Sequence, residues 1–107
     1  MLPKKNRADK KTVEAVFKEG KFINSPDFTF KFINTNTGSK KISIIVPKSV
    51  SKLAVKRNLL RRLGYSVLEK KLMDFPLGIQ GVFVFKKYQD NILIIENEIK
   101  SISDKIH

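Results

Sequence analysis

Phenylalanine recurs at every second position from Phe28 through Phe30 to Phe32, with Thr29, Lys31 and Ile33 between, and no other feature of this chain restricts its fold so tightly. Alternate residues of a strand point to opposite faces, so the three rings share one side of a sheet. Burying each ring is worth roughly 1.5–3 kcal/mol, which makes that side core rather than an exposed stacking platform. The sheet therefore needs a second layer. At 107 residues the chain fits one domain, large enough to bury such a core without metal or disulfide support.

The remaining patterns supply the layers. Residues 1–11 are basic, lack apolar periodicity and read as an extended arm. Over residues 12–19, Val13, Val16 and Phe17 recur at helical spacing, with Thr12 as the expected N-cap and Gly20 as the stop. Turn-forming residues fill 34–39, so residues 42–46 read as a strand returning antiparallel to the phenylalanine strand, closed by Pro47. Ser49 or Ser51 is positioned to cap a basic helix that runs to about Leu72, and residues 74–78 break it. Residues 81–86 form a nearly continuous apolar run, the mark of a central strand. Ile92, Ile95, Ile99, Ile102 and Ile106 are then spaced three, four, three, four, as one face of a closing helix requires. The order predicts an α+β fold: a two-layer α/β sandwich of about four strands and three helices, in a single domain over residues 1–107.

Charge is concentrated in part of this domain. The chain has 22 Lys and Arg against 10 Asp and Glu. Residues 1–71 hold eighteen of the cations and five of the acids, while the remainder is nearly neutral. Basicity confined to part of a small domain points to nucleic acid or an anionic membrane, against the plainer reading of charge kept for solubility. No apolar run approaches the roughly 18 residues of a membrane span, and the N-terminal residues lead into charges rather than a signal-peptide apolar region. A cytoplasmic protein is the expectation.

Side-chain catalysis is disfavoured. His107, at the end of the chain, is the only histidine, there is no cysteine, and the acids form no pair with metal-binding spacing. The five glycines form no phosphate loop.

The basic helix is the better candidate site. At about 100° per residue, Arg57, Asn58, Arg61, Arg62 and Tyr65 share one arc, and Val55, Leu59, Leu60, Leu63 and Val67 fill the opposite one. Arginine forks fit phosphate bidentately, Asn58 can donate and accept among them, and Tyr65 offers a ring for a base or sugar. Glu69 is the only carboxylate between residues 54 and 71, so the i,i+4 ion pairs of an ordinary solvated helix are mostly missing. Gly64 costs the helix roughly 1 kcal/mol relative to alanine, and a close backbone approach is one reason for it.

The residues Lys4-Lys5-Asn6-Arg7, Val16-Phe17-Lys18-Glu19-Gly20, Val46-Pro47-Lys48 and Ala54-Val55-Lys56-Arg57-Asn58 with Arg61-Arg62 resemble the protein subunit of bacterial ribonuclease P. The match at Arg57, Asn58, Leu60, Arg61 and Arg62 is the most specific. Leu59 stands where the family has a further arginine, Ser49 where it commonly has a second lysine, and Val13 where the first helix commonly has a second aromatic. The resemblance implies an α/β sandwich whose basic helix lies in a left-handed crossover between parallel strands, an exception to the usual rule. It implies assistance in 5′ maturation of precursor tRNA, with hydrolysis by a catalytic RNA and its Mg2+ ions and no metal on the protein. The partners implied are ribonuclease P RNA and precursor tRNA, with the protein a monomer in a 1:1 ribonucleoprotein.

Combined with the residue reading, the expected RNA-binding residues are Arg57, Asn58, Arg61, Arg62 and Tyr65, supported by Arg7, Lys48, Lys52 and Lys56. The single-stranded 5′ leader would lie between the first helix and the sheet, against Val13, Phe17, Thr29, Lys31 and Ile33. A general or ribosome-associated RNA-binding protein without a processing role is the principal alternative, ahead of a protein-only nuclease or a membrane-surface helix.

Overall fold

Among the described residues, four strands and three helices appear in the order α1 (Lys10–Glu19), β1 (Lys21–Asn24), β2 (Phe28–Asn34), β3 (Lys41–Ile45), α2 (Ala54–Lys71), β4 (Ile79–Phe85) and α3 (Ile92–Asp104), with a short 3-10 turn at Leu72–Asp74. The computed structural model describes residues 6–106; Lys4, Lys5 and His107 lie outside them. The sheet runs β1-β2-β4-β3. β2 pairs antiparallel with both β1 and β4, and β3 pairs parallel with β4 through the α2 crossover. This is the α+β sandwich expected.

Two expectations about the strands change. Residues 42–46 were expected to return beside β2, but β4 lies between them. β4 is nearly continuous in apolar residues and is covered on both faces, which suits the centre of the sheet. The loop from β2 to β3 crosses one extra strand spacing, about 4.8 Å more, which six residues span easily. Strand β1 is not apparent in the sequence. Its four residues, Lys-Phe-Ile-Asn, have no clear alternation and are mostly exposed, so only the pairing of Lys21–Asn24 with β2 defines them as a strand.

One face of the sheet carries the main core. Phe28, Phe30, Phe32, Phe83, Phe85, Ile42 and Ile44 pack against Leu60, Val67 and Leu68 of α2 and Ile95, Ile99 and Ile102 of α3. Phe30 stacks on Phe83 with ring centroids 4.2 Å apart, and Phe75 closes edge-on against both. Truncating a ring in such a core to alanine costs about 3–5 kcal/mol. Gly81 belongs to this packing: a Cβ there would lie 2.4 Å from Cζ of Phe30. Helix α1 lies on the other face, where the wholly buried Val16 and Val82 form a smaller apolar layer.

The helix ends differ from expectation at each N-terminus of the first two helices. Asp9, not Thr12, caps α1: its Oδ1 accepts the Thr12 N–H at 2.8 Å, and Thr12 is the third residue of the helix. That bond holds the Asp9 carboxyl below its ordinary range. Neither Ser49 nor Ser51 caps α2, which begins after Leu53 with no side-chain cap. Ser51 Oγ instead accepts the N–H of Leu53, at 3.3 Å. Ile95, Ile99 and Ile102 of α3 are buried as expected, as is Ile106 just beyond the end of the helix, but Ile92 on the first turn is 37 % exposed. Glu98 is buried among them, and its Oε1 accepts from Ser25 Oγ at 2.6 Å and from the Asp27 N–H at 2.7 Å. The β1–β2 turn is thereby fastened to α3. Burial pushes the Glu98 carboxyl above its ordinary range, and the neighbouring Asp27 carboxyl adds to the effect.

Candidate nucleic-acid interface

Helix α2 settles on the sheet by a face that hydrophobic periodicity does not identify. Leu60, Gly64, Val67 and Leu68 are buried, whereas Leu59 and Leu63 are only half-buried and Val55 is 79 % exposed. The buried arc is turned by roughly 100°, one residue's step, from the expected one. Gly64 is the reason. A Cβ at this position would lie 2.6 Å from Cδ1 of Ile44, so the missing side chain lets the helix close on β3. Glycine contributes nothing to an apolar stripe, and a wheel therefore overlooks the tightest contact.

This rotation changes the work of the expected site residues. Tyr65 is half-buried, and its Oη accepts the Ile44 N–H at 3.1 Å, which satisfies a donor on the outer edge of β3. Arg57 is half-buried too, and its Nη1 donates to the carbonyls of Ser51 and Lys52 at 2.9 Å each. It fastens the loop that enters α2. Arg61 Nη2 donates to Asn58 Oδ1, aligning both on the open side of the helix.

Asn58, Arg61, Arg62 and Tyr65 line one open concavity together with Val55 and Arg7. Arg7 arrives from outside the helix. The Asn6 side chain donates to the carbonyl of Lys40 at 3.0 Å and Ser43 Oγ donates to the carbonyl of Ala8 at 2.9 Å, so residues 6–8 lie along β3 instead of extending freely. Arg7 Nε is buried without a partner. Arg7 and Tyr65 also border an adjoining concavity with Lys41, Ser43 and Asp9. Lys48 and Lys52 are exposed on the loop before α2, apart from this cluster, and Lys56 Nζ sits 5.5 Å from the ring centroid of Tyr88.

The second expected surface lies on the face of the sheet that carries α1. Thr29, Lys31 and Ile33 point there from β2 and are half-buried, as is Val13 on the helix. Phe17 is 42 % exposed, and Lys31 Nζ stands 4.9 Å from its ring centroid. The Thr29 hydroxyl donates to Asn24 Oδ1 at 2.8 Å. Phe22, 63 % exposed and directly across from Lys31 on β1, was missed with its strand. The phenylalanines expected in the core are all there.

Among the described residues no group of three His, Cys, Asp or Glu side chains converges to hold a metal, and no helix is long and apolar enough to cross a membrane. Fold and surface define a class: small α+β domains that present cationic concavities. The family model for ribonuclease P matches residues 2–106, and the chain belongs to that family.

Among solved structures, the chain is similar to the ribonuclease P protein of Thermotoga maritima, with a TM-score of 0.84 and 18 % identity over 94 % of this chain and 97 % of that one. It is similar also to the Staphylococcus aureus ribonuclease P protein, with a TM-score of 0.79 and 15 % identity over 95 % and 94 % of the two chains. Comparison with curated proteins gave no match. Family membership places the chain as a protein subunit of ribonuclease P, an endoribonuclease of tRNA processing, and as a partner of its RNA.

Proposed function

We propose that this subunit assists 5′-end maturation of tRNA by holding two RNA elements, the ribonuclease P RNA on the α2 concavity and the single-stranded 5′ leader of precursor tRNA between α1 and the sheet. The convergence of Arg7, Asn58, Arg61 and Arg62 around one open concavity carries the reading. Three guanidinium groups and an amide offer forked donors to phosphate. The unpartnered Nε of Arg7 is a donor whose burial costs free energy until an acceptor arrives. On the second surface, Phe17 offers a stacking face and Lys31 a cation beside it, the combination that suits unpaired nucleotides.

In this reading the hydrolytic step and its Mg2+ ions belong to the RNA subunit. The described residues contain no donor set that fits a protein-bound metal, and this chain's own part is to bind and orient. It acts as one copy per RNA subunit, in the cytoplasm.

The test is precursor-tRNA cleavage at low, near-physiological magnesium with the cognate ribonuclease P RNA, with and without the protein. Stimulation is expected, and it is lost in the Arg7→Ala, Arg61→Ala, Arg62→Ala triple variant. Tight binding of that RNA without any stimulation would favour a general RNA-binding protein. Cleavage by the protein alone would overturn the non-catalytic role.

A further inference from the structure

Helix α1 contacts β2 and β4, and beyond β2 the sheet continues into β1. Side chains at paired positions share a face, so Phe22, Lys31, Val82 and Ser43 form one row across four strands, on the side where α1 lies. Phe22 is therefore on the same floor as Lys31, one strand spacing, about 4.8 Å, further out. Lys31 has two aromatic neighbours: its ammonium is 4.9 Å from the Phe17 centroid, and Phe22 is its cross-strand partner on β1. Single exposed apolar residues are common and need no explanation by themselves. Phe22 differs in its surroundings, being the cross-strand partner of a cation that already sits against another aromatic ring. The acids nearest to Phe22 in sequence are Glu19, exposed on α1, and Asp27, buried in the β1–β2 turn.

We propose that Phe22 is a second stacking platform for the RNA leader, so that two neighbouring unpaired bases are held, one on Phe17 and one on Phe22, with the Lys31 ammonium meeting phosphate between them. The inference rests on the leader reading given above and adds a leader-binding residue to it. The ligand is single-stranded RNA of any sequence, because stacking uses the face that every base has. A protein partner would use the same apolar surface without needing a cation between the rings, and is the alternative that the experiment separates.

The experiment measures the KM of the holoenzyme for precursor tRNAs whose leaders are lengthened one nucleotide at a time, with wild type, Phe22→Ala, Phe22→Tyr and Phe17→Ala. Phe22→Ala is expected to raise KM roughly five- to a hundredfold for long leaders and to leave the substrate with a one-nucleotide leader unchanged. Phe22→Tyr keeps the wild-type value. The penalties of Phe22→Ala and Phe17→Ala are expected to set in at leader lengths differing by about one nucleotide. An unchanged KM in Phe22→Ala, while wild type and Phe17→Ala still depend on the leader, overturns the second platform alone. If wild type itself ignores the leader, both the leader reading and this inference fall. Because Phe22 is exposed, thermal unfolding of Phe22→Ala is expected to match wild type, and a loss of several degrees would assign the residue to structure instead.

Discussion

Gly64 and Glu98 show how much depends on single residues that a hydrophobicity pattern ignores. Replacing Gly64 with alanine gains about 1 kcal/mol of helix propensity, but the new methyl meets Ile44 Cδ1 at 2.6 Å and Cγ2 at 3.3 Å. Overpacking a buried contact costs about 1–3 kcal/mol, so a net loss of about 1 kcal/mol is expected in urea unfolding. Ile44→Val removes Cδ1, and the double variant is expected to recover most of the loss beyond the cost of Ile44→Val alone; strict additivity would show that the two groups do not meet. Glu98 poses the opposite problem, a buried carboxyl with one satisfied oxygen and one, Oε2, without a partner. Its folded pKa is raised above the ordinary 4.5, chiefly by burial. The folded state therefore binds its proton more tightly than the unfolded state does. The resulting stability is fully present below about pH 4.5 and is lost as pH rises through the higher folded value. Glu98→Gln keeps an acceptor for Ser25 and Asp27 and removes the charge, so it is expected to abolish that decline. Unfolding curves between pH 4.5 and 8 check this; an unchanged slope would place the decline elsewhere.

At the scale of elements, α2 serves both packing and binding, and its arginines divide between the two. Arg57 spends one nitrogen on the carbonyls of the entry loop, compensating for a helix that starts without a side-chain cap. Arg61 and Arg62 face the concavity. Arg57→Ala is expected to cost about 1 kcal/mol of stability through lost hydrogen bonds, whereas Arg61→Ala with Arg62→Ala is expected to leave unfolding unchanged and to weaken RNA binding at least tenfold. Parallel denaturation and filter-binding measurements separate the roles. An equal stability loss in both would deny the division. Strand β1 divides its residues similarly: Ile23 packs against the core while Phe22 opens to solvent, and Glu98 fixes the turn that follows.

The whole molecule is 38 Å in its longest dimension, several times the Debye length of about 8 Å at physiological ionic strength. Distant cations are therefore screened from one another, and the salt response of RNA binding reports local contacts rather than the full charge of +12. With four phosphates met by Arg7, Lys41, Arg61 and Arg62, log affinity is expected to fall against log salt with a slope of about −3. A nearly flat response would remove the cationic surface as the binding site. Chain order alone could not bring these groups together: Lys41 stands on β3, and Arg7 joins it beside α2 because the segment before α1 runs along that strand, bonded at Lys40 just ahead of it and at Ser43.

The sequence by itself determined the α+β class, the phenylalanine core, the central place of β4, the closing isoleucine face and the cationic helix. All of these rest on strong periodicity or on charge along one local segment, which the backbone geometry of a strand or helix converts directly into a face. Only the tertiary structure decided that β4 separates β2 from β3, that β1 is a strand, that α2 is turned onto Gly64, and that Arg57 and Tyr65 are partly occupied with holding it. Those outcomes depend on which surfaces approach one another most closely, and close approach is set by absent side chains and unpaired backbone groups as much as by apolar ones.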